Sequence, residues 1–173
     1  MVRQVALEDA AQICEIYNYY IENTIVSFEE SPVAPKEMAS RIQEIIPSLP
    51  WITYEMENRI TGYAYASKWK GRCAYRYSVE SSVYLSPDVR GKGIGSILYE
   101  ALISQLRQQG FHTTIGGISL PNEASIKLHE KFGFKKVAHF SEVGFKFNKW
   151  VDVGYWELKL DTKNPSSVPL RGE

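Results

Sequence analysis

Hydrophobic residues recur along the chain at two spacings, alternating in some segments and falling every third or fourth position in others. The helical spacing predicts four helices: one capped by Asp9, one from Pro35 to Ile46, one after the glycines near residue 95, and one from about Asn122 to Phe132. The alternating and β-branched runs predict seven strands, at residues 2–6, 51–56, 60–67, 75–85, 112–120, 134–145 and 151–160.

The order of these elements favours an α+β domain built on one mixed, mostly antiparallel sheet of about seven strands, flanked by about four helices. One parallel, right-handed crossover is expected where a strand, the glycines, a helix and the next strand follow one another. We assign residues 1–160 to this domain. Residues 161–173 contain two prolines, two serines and little apolar content, so we expect a loosely ordered tail.

Composition narrows the class of protein. Hydrophobic residues make up 44%, charged residues 23%, and the formal net charge is +0, so no bulk charge attracts nucleic acid or an anionic membrane. The two cysteines, Cys14 and Cys73, have no metal-site spacing and indicate reduced thiols in a cytoplasmic protein. The N-terminus lacks an apolar signal segment, and no run is long enough to span a membrane.

Three glycines at alternate positions, Gly91, Gly93 and Gly95, lie between the strand that ends near Leu85 and an amphipathic helix. Such a turn aims backbone N–H groups at the positive end of a helix dipole, which is a site for phosphate or pyrophosphate. The spacing excludes a Walker loop and a dinucleotide-binding fingerprint. A turn without a ligand is the alternative, although a plain turn rarely needs three glycines.

Two motifs carry a family resemblance. Arg90-Gly91-Lys92-Gly93-Ile94-Gly95 fits R/Q-x-x-G-x-G/A, and the segment from Asn122 to Phe134 is similar to N-x-x-A…L-Y-E-K-x-G-F. The chain therefore resembles the GNAT N-acetyltransferases over residues 1 to about 160, and the resemblance implies that the loop binds the pyrophosphate of acetyl-CoA without a metal. The implied cofactor contacts are Val83, Tyr84, Leu85, Arg90, Gly91, Lys92, Gly93, Ile94, Gly95, Ser96 and Asn122.

Four segments give a more specific resemblance, because residues 69–72, 75–84, 144–146 and 150–156 look like the phosphinothricin acetyltransferase branch. That branch includes enzymes acting on methionine sulfone and methionine sulfoximine. The resemblance thus implies a small amino-acid-like substrate, a homodimer and a link to antibiotic or herbicide resistance.

Glu80 is the candidate general base that takes the proton from the attacking amine. A carboxylate is unusual in the middle of an apolar strand, and burial should raise its pKa toward the working pH. Alternation would place Glu80, Ser82 and Tyr84 on one face. The alternative is an ion pair with a neighbouring arginine such as Arg76. The resemblance further suggests that the strand splays near Leu85, whose N–H faces the thioester carbonyl.

His129 takes the position where many family members carry a tyrosine that protonates the departing thiolate. A histidine can also donate a proton, and the phosphinothricin branch has histidine there as well. We therefore expect an acid or a substrate contact. The alternative is a half-buried histidine satisfied by a backbone carbonyl.

The substrate carboxylate is assigned to Arg72, aided by Tyr75, because an arginine can grip a carboxylate with two parallel hydrogen bonds. Phe28 matches an aromatic residue that the branch places over the substrate. The predicted reaction is direct attack of an amino-acid amine on acetyl-CoA in a ternary complex. Alternatives are an acetyltransferase for a polyamine, an aminoglycoside or a protein N-terminus, and a non-catalytic acetyl-CoA-binding module.

Overall fold

The structure is a computed structural model that describes residues 1–160. The predicted tail, residues 161–173, lies outside the described residues. Seven strands and four α-helices follow in the order β1 (Val2–Gln4), α1 (Ala10–Asn23), α2 (Pro35–Ile45), β2 (Trp51–Met56), β3 (Arg59–Lys68), β4 (Ser78–Leu85), α3 (Ile94–Gln108), β5 (Thr113–Leu120), α4 (Glu123–Lys131), β6 (Lys135–Lys146) and β7 (Lys149–Lys159). The predicted α+β class is confirmed.

All seven strands join one sheet in the order β1-β2-β3-β4-β5-β7-β6. Every neighbouring pair is antiparallel except β4 and β5, which form the predicted parallel pair. That pair is short: Ser78–Glu80 lie opposite Thr113–Ile115, and both strands then continue unpaired with each other. The two strands therefore diverge beyond Glu80 and open a gap in the middle of the sheet, as the splay expected near Leu85 requires.

Helices cover both faces of the sheet. On β3, Ala64 and Ala66 belong to a buried cluster with α3, whereas Tyr63 belongs to a second cluster with α1 and α2. Successive residues of a strand point to opposite faces, so α3 lies on one face of the sheet and α1 and α2 lie on the other. The core side of α3 is fully buried at Leu98, Leu102 and Leu106.

The sequence-based boundary of β4 is wrong at its start. The strand begins at Ser78 rather than near residue 75, and Cys73–Tyr75 form an exposed 3₁₀ turn. The reason is the length of the neighbouring strand, because β3 ends at Lys68, which lies opposite Val79. Upstream of Ser78 the chain has no strand to pair with on that side.

The role predicted for Asp9 also differs. Asp9 directly precedes α1, but its side chain makes no capping hydrogen bond to the helix. Its carboxylate instead accepts hydrogen bonds from Arg3 at 2.7 and 2.8 Å and from the amide of Ala6 at 2.7 Å. A bidentate guanidinium partner outcompetes a single backbone donor, so the side chain ties β1 to the start of α1.

Candidate active site

A cleft of about 640 Å³ lies on the face of the sheet that α1 covers. Its floor comes from neighbouring strands, including Ser67 of β3, Glu80 of β4 and Tyr155 of β7. One wall comes from Ser27, Phe28 and Glu29, in the irregular segment between α1 and α2. The cleft therefore lies where β4 and β5 begin to separate.

Glu80 lies in this cleft, and the predicted alternation of β4 is confirmed. Glu80, Ser82 and Tyr84 line the cleft, whereas the Ser81 hydroxyl is 2.8 Å from that of Tyr99 on the helix α3 side. Burial raises the pKa of the Glu80 carboxyl above its ordinary value, and the nearby Lys70 charge opposes part of that effect.

The alternative ion pair between Glu80 and Arg76 does not form. Arg76 donates to the carbonyl of Cys73 at 3.1 Å and lies 4.9 Å from the ring of Tyr77. None of the ion pairs within residues 1–160 includes Glu80. The Glu80 carboxylate is thus half-buried without a salt-bridge partner. Such a partner would lower its pKa, so this environment suits a proton acceptor.

Three neighbours of Glu80 were not found from the sequence. Ser67 lies directly opposite it on β3, and Gly117 and Tyr155 lie on the next two strands. A Cβ on Gly117 would lie 3.1 Å from Glu80 Oε1 and 3.2 Å from a ring carbon of Tyr155, so glycine leaves room for both side chains. Only the pairing of strands far apart in the chain brings these residues together.

The backbone of β4 offers donors to the gap. The amide of Ser86 donates to the carbonyl of Thr61 across the β3–β4 ladder at 2.8 Å. Because such bonds alternate along an antiparallel pair, the amides of Val83 and Leu85 face away from β3 and toward the gap. The Leu85 amide donates to the hydroxyl oxygen of Tyr20 at 3.4 Å, and that hydroxyl donates to the Leu85 carbonyl at 2.7 Å.

The glycine loop lies at the start of α3. Gly91 and Gly93 have φ of 76° and 80°, and a Cβ built on either would meet nothing within 4 Å. Within the glycine loop, the amides of Gly91, Gly93, Ile94 and Gly95 have no acceptor among residues 1–160. Unpaired donors beside open space at a helix N-terminus fit an anionic group such as pyrophosphate.

The other loop residues set the charge and shape of this site. The Arg90 guanidinium lies 5.2 Å from the rings of both Tyr19 and Tyr20, and Lys131 donates to the Ser96 hydroxyl at 2.9 Å. Ile94 is buried, so only its backbone is available to a ligand, whereas Lys92 is exposed. Cations around the loop add to the attraction for an anion.

Asn122 and Tyr84 have structural partners. The Asn122 side chain accepts from the amide of Ser125 at 3.1 Å and caps α4. The Tyr84 ring packs edge-on against Tyr17 and Tyr20 at 5.2 Å. Their predicted contacts with the cofactor stay predictions.

His129 is buried on the α3 side of the sheet. Its Nδ1 lies 2.8 Å from the carbonyl of Ser125 and must carry the proton there, while Nε2 has no partner within the described chain. Burial lowers the pKa of His129, which favours the neutral form of the ring, although the hydrogen bond to Ser125 opposes part of that effect. A Cβ on Gly116 would lie 2.2 Å from Nε2. This arrangement matches the alternative of a histidine satisfied by a carbonyl, and the role of proton donor stays a prediction.

The structure brings Phe28 to the cleft but not the other two predicted substrate contacts. Arg72 and Tyr75 are exposed in and beside the 3₁₀ turn, outside the lining of the cleft. The loop before that turn does reach the cleft, because the Trp69 ring packs edge-on against Tyr155 at 5.6 Å. The predicted contacts of Arg72 and Tyr75 with a substrate stay predictions.

Residues 1–160 contain neither a membrane-spanning helix nor a cluster of metal ligands. No helix among them is long and apolar enough to cross a membrane. The same residues contain no group of three or more His, Cys, Asp or Glu side chains placed to hold a metal ion.

Comparison with known proteins gives consistent results. Residues 2–154 match the acetyltransferase (GNAT) domain. The chain is 36% identical to the phosphinothricin N-acetyltransferase of Streptomyces viridochromogenes, over 95% of this chain and 90% of that protein. It is also 36% identical to the L-methionine sulfoximine/L-methionine sulfone acetyltransferase of Salmonella typhimurium, over 88% and 90%.

Solved structures agree with these sequence matches. A GNAT superfamily phosphinothricin acetyltransferase from Sinorhizobium meliloti, solved in complex with acetyl-CoA, superposes with a TM-score of 0.92 at 34% identity. The match covers 99% of this chain and 94% of the Sinorhizobium protein.

Proposed function

The chain belongs to the GNAT family of acetyltransferases and is an acetyl-CoA-dependent N-acetyltransferase, and we propose that its acceptor is the α-amine of a small amino acid or analogue. The acceptor would be of the phosphinothricin, methionine sulfoximine or methionine sulfone type, as the names of the relatives suggest. The main observation behind this proposal is the half-buried Glu80 carboxylate, which belongs to none of the ion pairs of residues 1–160 and lies in a cleft beside the divergence of β4 and β5.

Acetyl-CoA is the co-substrate and supplies the acetyl group as an activated thioester. The free amides of the glycine loop and the charge of Arg90 would hold its pyrophosphate. The remaining contacts proposed for acetyl-CoA are those predicted above, from Val83 to Leu85, Lys92, Ser96 and Asn122.

Glu80 would take a proton from the acceptor ammonium, directly or through a water, so that the amine attacks in a ternary complex. We assign the gap-facing N–H of Leu85 to the oxygen that becomes negative during attack. His129 is proposed to protonate the thiolate or to contact the substrate. The first role requires a proton on Nε2, which is supplied either by the imidazolium or by the opposite neutral tautomer to the one that the Ser125 carbonyl favours.

Phe28, Arg72 and Tyr75 are the proposed substrate contacts. Phe28 already lines the cleft. Arg72 would bind the substrate carboxylate from the loop that Trp69 anchors on Tyr155.

We further propose that residues 1–160 form one GNAT acetyltransferase domain and that the protein is a cytoplasmic homodimer. Leu160 is buried and its amide donates to the carbonyl of His112 at 2.8 Å, which supports the domain boundary. Cys14 and Cys73 are unpaired thiols. Large apolar side chains lie exposed on β6 and its hairpin, which supports a dimer: Val137, Phe140, Val143, Phe145, Phe147 and Trp150.

A panel of acceptors tests the function. Phosphinothricin, methionine sulfone and methionine sulfoximine are compared with a polyamine, an aminoglycoside and a peptide N-terminus, by thiol release and by mass spectrometry of the product. We expect the amino-acid analogues to exceed the other amines by about tenfold or more in kcat/KM, which corresponds to about 1.4 kcal/mol. Preference for another amine would contradict the proposed acceptor, and acetyl-CoA binding without acceptor-dependent thiol release would indicate the non-catalytic module.

A further inference from the structure

The segment between α1 and α2, residues 24–34, forms a strap along the acceptor cleft. It has no regular secondary structure, so its own backbone does not fix its position. Yet four consecutive strap residues, Val26 to Glu29, line the cleft. The shape of the cleft therefore depends on what holds the strap from outside.

On its helix side, the strap is held by hydrogen bonds to α1 and α2. The Tyr17 hydroxyl donates to the Glu29 carboxylate at 2.8 Å and lies 3.1 Å from the Ser27 hydroxyl. Arg41 of α2 donates to both carboxylate oxygens of Glu29, at 2.7 and 3.2 Å. These contacts place the strap but do not reach the Phe28 ring.

On its sheet side, the strap is held by two residues of β6. The buried Lys146 ammonium donates to the Ser27 carbonyl at 2.6 Å. The Phe28 ring lies directly against Gly144, where a Cβ would lie 2.4 Å from ring carbon Cζ and 2.5 Å from Cε1. Phe28 is 42% exposed, so few other residues restrain its ring. The distance of the ring from the sheet therefore depends on Lys146 and Gly144.

Burying a lysine ammonium to hold a loop costs free energy of folding. Lys146 is 4% exposed, and burial lowers its pKa, although the charges of Glu29 and Glu30 oppose that effect. None of the ion pairs within the described residues includes Lys146. A well-packed apolar side chain of similar length often stabilises such a position better than a buried charge does. The ammonium also lies 5.0 Å from the Phe147 ring, but the cost of burying it still points to a role for this lysine beyond packing.

We propose that Lys146 and Gly144 are positioning residues that set the height of Phe28 in the acceptor cleft and so determine the affinity for the acceptor. Lys146 fixes the backbone on the N-terminal side of Phe28, and Gly144 allows the ring to approach the sheet. The part that concerns the acceptor rests on the proposed function. The placement of Phe28 does not, and it is tested without turnover.

The first experiment observes Phe28 directly. The protein is labelled with 4-fluorophenylalanine, and the ¹⁹F resonance of residue 28 is assigned by its loss in Phe28→Leu. We expect this line to shift or broaden in Lys146→Met and in Gly144→Ala but to stay in place in Lys149→Met, an exposed lysine opposite Lys146 in the same hairpin. An unchanged line in both Lys146→Met and Gly144→Ala would overturn the proposal.

The second experiment measures both KM values in the same variants. Lys146→Met should raise the KM for the acceptor by about tenfold, leave the KM for acetyl-CoA within about twofold, and have no such effect in a Phe28→Ala background. Equal losses for both substrates, or an undiminished effect without Phe28, would mean that Lys146 acts only on overall structure. Gly144→Ala supplies the same test if Lys146→Met does not fold. A wild-type protein that acetylates no amino acid would refute the proposed function, and with it the claim that Lys146 and Gly144 determine acceptor affinity. The ¹⁹F result would still decide whether these two residues place Phe28.

Discussion

At the scale of single residues, the candidate site depends on charges that the fold leaves without partners. Glu80 is half-buried and outside every ion pair of the described chain, and Arg72 lies exposed at the start of the 3₁₀ turn. Glu29, the other charged residue that lines the cleft, forms an ion pair with Arg41. The roles proposed for Glu80 and Arg72, a general base and a substrate-binding arginine, both need this freedom.

Arg72→Ala should raise the KM for an amino-acid acceptor by about tenfold or more, because a charge-assisted hydrogen bond contributes about 1.5–3 kcal/mol. The KM for acetyl-CoA should stay within about twofold. Steady-state kinetics with each substrate varied in turn measures both values. Arg76→Ala is the matched control, since it removes the same charge from the same loop. An effect on acetyl-CoA alone would show that Arg72 faces the cofactor rather than the acceptor.

The sequence was informative for Glu80 because a carboxylate interrupts an apolar strand, and alternation alone placed Ser82 and Tyr84 beside it. It was not informative for Ser67, Gly117 or Tyr155, since these reach Glu80 only through strand pairing. Lys146 was equally hidden: its sequence neighbours give no sign that a charge is buried against a strap about 119 positions away.

At the scale of elements, the turn from β4 to α3 combines left-handed backbone with free amides. Glycine spacing was enough to predict this loop, because few other residues adopt a φ of 80° without cost. The start of β4 was not predictable in the same way, since it depends on where β3 ends.

Gly93→Ala should raise the KM for acetyl-CoA by about tenfold, because it places a methyl group beside the free amides and disfavours the left-handed backbone by about 1–2 kcal/mol. Gly110→Ala is the matched control. Gly110 also has a φ of 80°, but it follows α3 at the opposite end of that helix. The control should lower the melting temperature similarly without changing that KM. Equal KM effects in the two variants would contradict a cofactor contact at Gly93.

At the scale of the whole molecule, one sheet supports two different sites. We propose that the glycine loop at the start of α3 binds the cofactor and that the cleft on the α1 side binds the acceptor, so that the two meet at the gap between β4 and β5. The element order predicted this α+β arrangement, including the single parallel pair. The proposed association of two copies depends on the exposed apolar side chains of β6 and its hairpin. The sequence pattern did not distinguish these side chains from core residues.

A homodimer should appear at about twice the chain mass of 19.7 kDa in size-exclusion chromatography with light scattering. Trp150→Asp should yield monomer, because it charges the exposed apolar face where Trp150 lies 5.0 Å from Phe145. Ile46→Asp, at an exposed position after α2, is the control and should remain dimeric. A wild-type monomer would refute the proposed dimer.

The most direct test of Glu80 as the general base is the pH dependence of kcat/KM for methionine sulfone in the wild-type protein and in Glu80→Gln. Burial raises the pKa of the Glu80 carboxyl above its ordinary 4.5, so wild-type activity should fall as the pH drops through that raised value and protonates the base. Glu80→Gln should lower kcat by about 10²–10⁴ and remove this acidic limb. A variant that keeps both the limb and the wild-type kcat, with chemistry limiting turnover, would show that Glu80 is not the base.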